Sequence, residues 1–326
     1  MPRLVSVVMP AYNAEKHVAE SIRSVQDQTY PDWELIVVDD GSRDQTSAIV
    51  QQLAAADNRI NYLFQENGGQ ASARNTGIRH SRGDLVAFLD ADDLWLSDKL
   101  QKQIHAFEQT NADVISSSGF VFSDEGIQVN EDALQIVPGR TEGAEMFKLL
   151  YAYNRLTIQS AMVRREMLEK VNLLDENRAY QNCEDYDLWL SLAKAGAVFY
   201  CLEDRLIKYR RHANASTFEE SKVLKPMIAV MKKHGGDSVL NQRQVKLRIR
   251  NLYRQLLTAL VRENKIDEAR LAMHEFATWD TSGSITKLQR LLLAIWPGQF
   301  NFLSRELLFR LEWHCNRMLG RSNTGG

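Results

Sequence analysis

Residues 88–96 read FLDADDLWL, an apolar run that ends in the three carboxylates Asp90, Asp92 and Asp93. The apolar part predicts a buried strand, and like charges at a strand end destabilise one another unless a counter-charge neutralises them. Hard divalent cations such as Mg2+ and Mn2+ prefer carboxylate oxygens and often bridge them to phosphates. The stretch therefore suggests a metal-bridged diphosphate. The alternative is that the acids only turn the chain before a helix near Ser97.

Upstream of this stretch, strand and helix patterns alternate. Runs of β-branched and other apolar residues predict buried strands, while apolar side chains at every third or fourth position predict amphipathic helices. Such alternation with short loops is typical of an α/β protein whose mostly parallel sheet carries helices on both faces. The predicted strands are 4–10, 33–40 and 60–66, and the predicted helices are 14–28, a helix after Gly41 with Ser42 as its N-cap, and 70–80.

Several residues stand at the carboxyl ends of the predicted strands. They are Pro10, Asp39, Asn67 and Asp90. Because ligands of open α/β sheets bind beyond these strand ends, we expect the four residues to converge on one crevice.

Downstream of residue 100 the pattern is less regular. A strand is predicted at 113–122, and the polar, Pro- and Gly-punctuated segment 123–140 predicts a loop. Residues 197–212, AVFYCLEDRLIKYRRH, predict two short strands. Helices are predicted at 144–153, at 165–171, at 183–196 with Gly196 as the closing residue, and throughout the chain after Ser221 except at the Pro297-Gly298 break.

The net charge of −2 hides an asymmetry between two parts of the chain. Residues 1–220, the expected catalytic domain, hold 22 Lys and Arg against 34 Asp and Glu, whereas residues 221–326, an expected helical region, hold 18 against 8. The basic part predicts an anionic partner, either a membrane surface or the acidic part of the chain itself. Nucleic acid is not expected as a partner, because the sequence has no RNA-binding strand motif and no Cys/His finger spacing.

Cysteine usage and hydropathy bear on the cellular setting. Three widely spaced cysteines predict neither a disulfide framework nor a zinc site, so a reducing, cytoplasmic setting is expected. The sequence shows no signal-peptide pattern and no window of roughly 18 apolar residues, the length of a membrane span.

In the C-terminal tail, LQRLLLAIW (288–296) is apolar and FLSRELLFRLEW (302–313) is amphipathic. These helices either lie peripherally on the inner membrane face or pack on the catalytic domain or a second subunit of a homo-oligomer.

Five motifs occur in order: MPAYNAE (9–15), VVDDGSRD (37–44), ENGGQASARNTG (66–77), FLDADD (88–93) and CEDYDLWL (183–190). Together they resemble the glycosyltransferase family 2 enzymes over roughly residues 3–215. The resemblance implies a GT-A fold, which is a Rossmann-like, mostly parallel sheet flanked by helices, here with an α-helical C-terminal extension. It also implies inverting transfer of a sugar from a nucleotide-diphosphate sugar, with UDP as the commonest carrier, to a hydroxyl of a glycan or lipid-linked acceptor in surface polysaccharide biosynthesis.

On the donor side, the resemblance assigns the nucleobase contact to Asp39, with Pro10, Tyr12 and Asn13 lining the same pocket. From the residues alone, Asp39 is also suited to cap the following helix, and Tyr12 to pack against the helix at 14–28. The resemblance adds further residues to the nucleotide-sugar pocket, namely Asn67, Gly69, Arg74, Asp90 and Ala91.

The resemblance also implies a divalent cation, Mn2+ or Mg2+, with Asp92 and His212 as its ligands. An isolated His is equally common as an ordinary surface or core residue. Arg74 stands near the same strand ends, where its guanidinium either neutralises the diphosphate or forms a salt bridge to the acidic cluster.

On the acceptor side, the resemblance assigns Asp185 as the general base that removes the proton of the acceptor hydroxyl, with Glu184 and Trp189 beside it. Acids at a helix start are also favoured by the helix dipole alone. Trp189 is equally suited to the core.

Other functions compete with this hypothesis. A Rossmann oxidoreductase needs a glycine fingerprint after the first strand, and a nucleotidyltransferase needs a Gly-rich basic loop there, but MPAYNAE is neither. A non-catalytic nucleotide-sugar-binding relative would keep the fold without turnover. The intact acidic triplet and the pair Glu184-Asp185 argue against that alternative.

Overall fold

A computed structural model describes residues 3–123, 128–129, 138–154, 156–211, 219–276 and 278–279. The chain divides into two compact units, residues 1–215 and 216–326. Each unit is described below by itself.

Within the described residues, the first unit is built on one ten-stranded sheet. Its central path has the order β3-β2-β1-β4-β9-β6-β10-β5, while β7 pairs with β6 and β8 pairs with β10. The strands are β1 (Val5–Ala11), β2 (Trp33–Asp39), β3 (Ile60–Phe64), β4 (Leu85–Phe88), β5 (Leu94–Trp95), β6 (Val114–Ser123), β7 (Gln128–Val129), β8 (Gly139–Glu142), β9 (Met162–Arg164) and β10 (Val198–Arg211).

The sheet has a parallel half and a mixed half. Strands β3, β2, β1 and β4 run parallel to one another, as the alternation of strand and helix predicts. Strand β9 is antiparallel to both of its neighbours, and β6 and β10 are again parallel to each other. The seven α-helices described in this unit are α1 (Val18–Gln26), α2 (Thr46–Ala56), α3 (Gln70–His80), α4 (Lys99–Thr110), α5 (Gly143–Ala152), α6 (Arg165–Lys170) and α7 (Glu184–Lys194).

Strands β1 and β2 are buried along their whole length because helices cover both faces of the sheet. Val7 and Met9 join the core beneath α1, α2 and α4, whereas Ile36 and Val38 lie under α3 on the other face. A Cβ on Gly77 of α3 would lie 2.5 Å from Val8 Cγ1. A glycine there lets α3 approach β1 closely, which brings the start of α3 to the strand ends.

Two local predictions were wrong. Residues 198–211 form one strand instead of two, because register shifts between Leu202 and Ile207 absorb the irregular segment within a continuous pairing to β6. Ser42 is not the N-cap of α2, which begins at Thr46. Its hydroxyl instead accepts a hydrogen bond from the backbone N–H of Asn13 at 2.9 Å.

The second unit is helical in the part that the structure describes. Helix α9 (Gln242–Arg262) packs against both α8 (Glu220–His234) and α10 (Ile266–Phe276). Its buried face carries Val245, Ile249 and Leu252. In the described part of the chain, no helix is both long and apolar enough to cross a membrane. The predicted tail segments 288–296 and 302–313 and the Pro297-Gly298 break lie outside the described residues. The α/β class with a helical C-terminal region is confirmed.

Candidate active site

The carboxyl ends of β1 and β2 lie side by side, where Ala11 pairs with Asp39. Asp39 is fully buried, and its carboxylate accepts hydrogen bonds from the backbone N–H of Ser42 at 2.8 Å and from the Tyr62 hydroxyl at 2.9 Å. These bonds hold the side chain in one orientation. Because each carboxylate oxygen can accept a second hydrogen bond, the group keeps acceptor capacity for a ligand.

The loop after β1 presents the next predicted donor-side residues. Pro10 is buried in the strand end, whereas the Tyr12 side chain is 52% exposed and so is not packed into the core beneath α1. Asn13 has a positive φ of 49°, and its side-chain Oδ1 accepts the backbone N–H of Arg43 at 2.9 Å. The loops after β1 and β2 are thus linked, with the Tyr12 ring on their exposed side.

Asp40 fixes the loop that carries Asn67 and Gly69. Its carboxylate accepts the backbone N–H groups of Gly68 and Gly69, both at 2.8 Å, and its backbone carbonyl accepts the Asn67 side-chain amide at 3.0 Å. Gly69 has a φ of +90°, which a glycine adopts easily, and α3 begins immediately after it. The sequence pattern did not predict this tertiary role of Asp40.

Arg74 joins the acidic strand end to the start of α7. Its guanidinium is buried, with Nη2 2.7 Å from Asp90 Oδ1 and Nη1 2.6 Å from Glu184 Oε1. Of the two roles predicted for Arg74, the structure shows the salt bridge to the acidic cluster. Burial raises the pKa of Asp90, more strongly than the Arg74 charge lowers it, and the charge of Asp92 raises it further.

The turn after Ala91 is held by β10. Asp93 is buried, and its Oδ1 accepts the backbone N–H of Arg210 at 2.7 Å. The Arg210 side chain donates from Nε to the Asp92 carbonyl at 2.7 Å and from Nη2 to Glu20 at 2.6 Å. Asp93 therefore has the chain-turning role that the sequence left open. Arg210 is a contributor that the sequence analysis missed, and the only signal for it is its place in the Arg-Arg-His run.

The chemistry of this strand end fits a divalent cation. Burial and then the charges of Asp92 and Asp90 raise the pKa of Asp93 well above its ordinary value, and its buried Oδ2 has no hydrogen-bond partner among the described residues. A cation would relieve this repulsion between hard oxygen donors. Within the described residues, however, no three His, Cys, Asp or Glu side chains are gathered to hold a metal ion. The second predicted ligand, His212, lies outside the described residues, directly after the end of β10.

Asp185 lies in the first turn of α7, next to Glu184. Burial and the neighbouring Glu184 charge raise the pKa of Asp185 to about 7, although the Arg74 charge opposes this shift. A carboxylate with a pKa near neutrality is suited to general base catalysis.

The two predicted acceptor-side neighbours are both buried. Glu184 is 3% exposed and is engaged by Arg74, and Trp189 is 0% exposed in the core. The Trp189 placement favours the packing alternative. Glu184 is placed to orient Arg74 and to raise the pKa of Asp185.

Comparison with known proteins gives the same assignment. The family described as "Glycosyl transferase family 2" matches residues 6–171. TuaG of Bacillus subtilis (strain 168), a glycosyltransferase assigned to teichuronic acid biosynthesis, is 32% identical over 234 residues, which cover 68% of this chain and 84% of TuaG. WfgD of Escherichia coli, a UDP-Glc:alpha-D-GlcNAc-diphosphoundecaprenol beta-1,3-glucosyltransferase, is 34% identical over 211 residues, which cover 62% of this chain and 77% of WfgD.

A solved structure supports the fold. The mannosyltransferase PcManGT from Pyrobaculum calidifontis, in complex with GDP-Man and Mn2+, superposes with a TM-score of 0.57 at 17% identity and covers 99% of this chain and 89% of its own. The predicted GT-A fold is thereby confirmed. The family match over residues 6–171, together with these relatives, shows that the chain belongs to glycosyl transferase family 2.

Proposed function

We propose that the chain is an inverting, metal-dependent glycosyltransferase that moves a sugar from a UDP-sugar to a hydroxyl of a glycan or lipid-linked acceptor. The observation that carries the proposal is Asp185, a carboxylate whose pKa is raised to about 7 at a helix start. It stands next to Glu184, which Arg74 links to Asp90 through two ion pairs. Names of relatives support the substrate class, since WfgD uses UDP-Glc and a diphosphoundecaprenol-linked acceptor and TuaG is assigned to teichuronic acid biosynthesis. The catalytic domain spans residues 1–220 and acts at the cytoplasmic face of the membrane.

The donor nucleotide binds at the ends of β1 and β2. The fixed Asp39 carboxylate accepts a hydrogen bond from the base, and the exposed Tyr12 ring packs against it. Pro10 and Asn13 shape this pocket, and the Asn67–Gly69 loop brings its backbone close to the nucleotide. Asp90 and Ala91 continue the pocket toward the diphosphate.

Asp92 and His212 would hold the divalent cation. When bound, the cation stabilises the negative charge that develops on the leaving diphosphate. Arg210 orients the Asp92 backbone, and the Arg74 guanidinium forms ion pairs with Asp90 and Glu184 that hold both side chains in place. The chain's own contribution is therefore a preorganised acidic turn, whose side chains reorient little when ligands bind.

Asp185 takes the proton from the acceptor hydroxyl. The hydroxyl oxygen then attacks the anomeric carbon from the face opposite the nucleoside diphosphate, the glycosidic bond to the diphosphate breaks, and the configuration inverts. No covalent enzyme intermediate is formed. General base assistance of this kind contributes about 10²–10⁴-fold to the rate.

The substitution Asp185→Asn tests this assignment. It removes the base but keeps the size and hydrogen-bonding capacity of the side chain, so we expect the transfer rate to fall by about 10²-fold or more while donor affinity stays within a few-fold. Transfer is measured with a panel of nucleotide sugars and a lipid-linked acceptor, and donor affinity by calorimetry. Glu145→Gln, an exposed first-turn acid of α5, is the matched control. Normal turnover of Asp185→Asn would remove Asp185 from the mechanism, and absence of both transfer and donor hydrolysis in the native chain would instead indicate a non-catalytic relative.

A further inference from the structure

Helix α9 is unusually basic. Its 21 residues, Gln242–Arg262, include five arginines and one lysine and no acid. Arg243, Lys246 and Arg250 follow one another at spacings of three and four, so they share one face of the helix. That face differs from the one that Val245 and Ile249 bury in the core of the helical unit. Arg243 and Lys246 are exposed, so the packing of this unit does not require these two cations.

A cavity of about 460 Å³ lies over this basic face. Among the residues that the structure describes, its lining includes three cations, one amide, one leucine and one indole, contributed by Arg243, Lys246, Arg250, Gln242, Leu247 and Trp279. Trp279 comes from the turn that follows α10, where its backbone N–H donates to the Phe276 carbonyl at 2.9 Å. The indole thus reaches the cavity from a different element, and the cavity is concave and not a flat helix surface. Its volume lies within the range of small-ligand sites, about 300–1,000 Å³.

Two of the three cations that line the cavity are not neutralised by an acid that the structure describes. Among the residues that the structure describes, no carboxylate forms an ion pair with Arg243 or Lys246, and no acid lines the cavity. Elsewhere in the same unit several described basic side chains form ion pairs with acids, as in the Lys225–Glu268 and Lys265–Glu263 pairs. Cations one helical turn apart repel one another unless an anion lies between them. The cavity therefore has the charge and the space for an anion.

We propose that this cavity binds a phosphoryl group. Three cations converging on one cavity match the charge of a phosphate, and Arg guanidinium groups donate to phosphate oxygens in a fixed geometry. The Gln242 amide and the Trp279 indole N–H are additional donors. An indole beside a cationic pocket is suited to the boundary between water and lipid, where its ring contacts apolar atoms attached to the phosphate. Two sources supply this chemistry: a phospholipid head group or a free phosphate compound. The site lies within the helical unit and is independent of the proposed transfer reaction.

The test measures two probes on the full chain. A flotation assay measures binding to lipid head groups, by comparing vesicles of phosphatidylcholine and phosphatidylglycerol with vesicles of phosphatidylcholine alone. Calorimetric titration with inorganic pyrophosphate measures binding of a soluble phosphate compound. The double substitution Lys246→Gln with Arg250→Gln removes two charges from the cavity. The matched control, Lys222→Gln with Arg262→Gln, removes two charges from the same unit outside the cavity lining. Melting curves of all three proteins verify folding.

We expect the cavity variant to lose at least tenfold in affinity for the probe that binds, and the control to stay within twofold of the native chain. Binding to anionic vesicles alone identifies lipid as the source, and binding of pyrophosphate alone identifies a soluble phosphate. A further substitution, Trp279→Phe, keeps the aromatic contact and removes the N–H donor, so it should weaken binding less than the double substitution. The proposal is overturned if neither probe binds the native chain, or if the cavity variant and the control lose equal affinity, since the attraction would then be only net charge.

Discussion

At the scale of single residues, the site depends on a few long-range contacts between charged groups. Arg74 is 110 residues from Glu184 in the chain, yet the two side chains are 2.6 Å apart and both are buried. The Arg74 charge interacts with Asp90, on the predicted donor side, and with Glu184 and Asp185, on the predicted acceptor side. Under the proposed function, Arg74 is therefore a positioning residue for both the donor side and the acceptor side of the site.

The substitution Arg74→Met tests this role. It leaves the buried Glu184 and the half-buried Asp90 without their counter-charge, and breaking a buried pair such as Arg74–Glu184 costs about 3–5 kcal/mol. We expect the free energy of unfolding, measured in urea, to fall by that amount, and donor affinity to fall with it. Combining Arg74→Met with Glu184→Gln removes one of the stranded charges and should recover part of the loss. Equal stability of Arg74→Met and the native chain would contradict the buried network.

The raised pKa of Asp185 predicts a pH dependence. A carboxyl group whose pKa lies near 7 keeps its proton in mild acid, and the protonated form cannot act as a base. We expect kcat/KM to fall about tenfold per pH unit below neutrality and to level off above it. The pH profile of transfer, recorded with the metal concentration held constant, provides the measurement. A profile that stays flat down to about pH 5 would show that Asp185 titrates at its ordinary value.

Asp92 is the residue for which metal dependence is predicted. Removing its carboxylate by Asp92→Ala should abolish the Mn2+-dependent part of UDP binding, because the carboxylate is the hard oxygen ligand of the cation. Calorimetry with and without Mn2+ separates this part from metal-independent binding. Asp98→Ala, which removes an exposed carboxylate paired with Lys102 a few residues away, should leave both parts unchanged. If Asp92→Ala still binds UDP in an Mn2+-dependent way, groups other than Asp92 are the ligands of the cation.

At the scale of elements, the helix that delivers Arg74 is positioned by close packing. Gly77 faces Val8 of β1, and an added Cβ would lie 2.5 Å from Val8 Cγ1, closer than real carbon contacts. Because Val8 is a fully buried, β-branched residue, it has little freedom to move away.

Gly77→Ala is therefore expected to destabilise the chain by about 1–3 kcal/mol, the usual cost of overpacking a core. Arg74 would shift with the helix, so donor affinity should fall as well. Gly236→Ala is the control, since a Cβ at Gly236 meets nothing within 4 Å. Urea unfolding of the two variants provides the comparison, and equal stability would show that α3 can move away from β1 without cost.

Strand β10 has a comparable positioning role at the other edge of the site. Its register shifts between Leu202 and Ile207 accommodate an irregular segment, and pairing with β6 then resumes up to Arg211. This continuity brings Arg210 to the Asp92-Asp93 turn. Two separate short strands, as the sequence pattern predicted, would not hold that turn in the same way.

At the scale of the whole molecule, charge separates along the chain. The residues up to 220 hold an excess of 12 acids and the remainder an excess of 10 basic residues. In the first unit, acids gather at the strand ends, where a cation is proposed. In the second unit, the described basic residues include those lining the cavity on α9, where a phosphoryl group is proposed. The opposite charges of the two units thus correspond to two ligands of opposite sign.

The sequence alone determined the fold class and named the residues of the candidate site. The spacing of apolar residues is a local property, and neighbouring residues therefore suffice to predict the parallel strands β1 to β4 and the helices between them. The same holds for Gly196, which closes α7 with a φ of +87°. The carboxyl ends of parallel strands meet at one edge, and therefore Asp39 and Asp90 were expected to lie near each other. The five motifs made the family recognisable before any contact was known.

Only the tertiary structure decided which partner each charged residue has. Arg74 could face a diphosphate or an acid, and the pairing with Asp90 and Glu184 follows from the approach of α3 and α7, which no local pattern encodes. The same holds for Asp40 beneath the Gly68-Gly69 loop, for Arg210 at the acidic turn, and for the burial of Trp189. The raised pKa of Asp185 likewise requires burial and a neighbouring charge, which arise only when distant elements pack together.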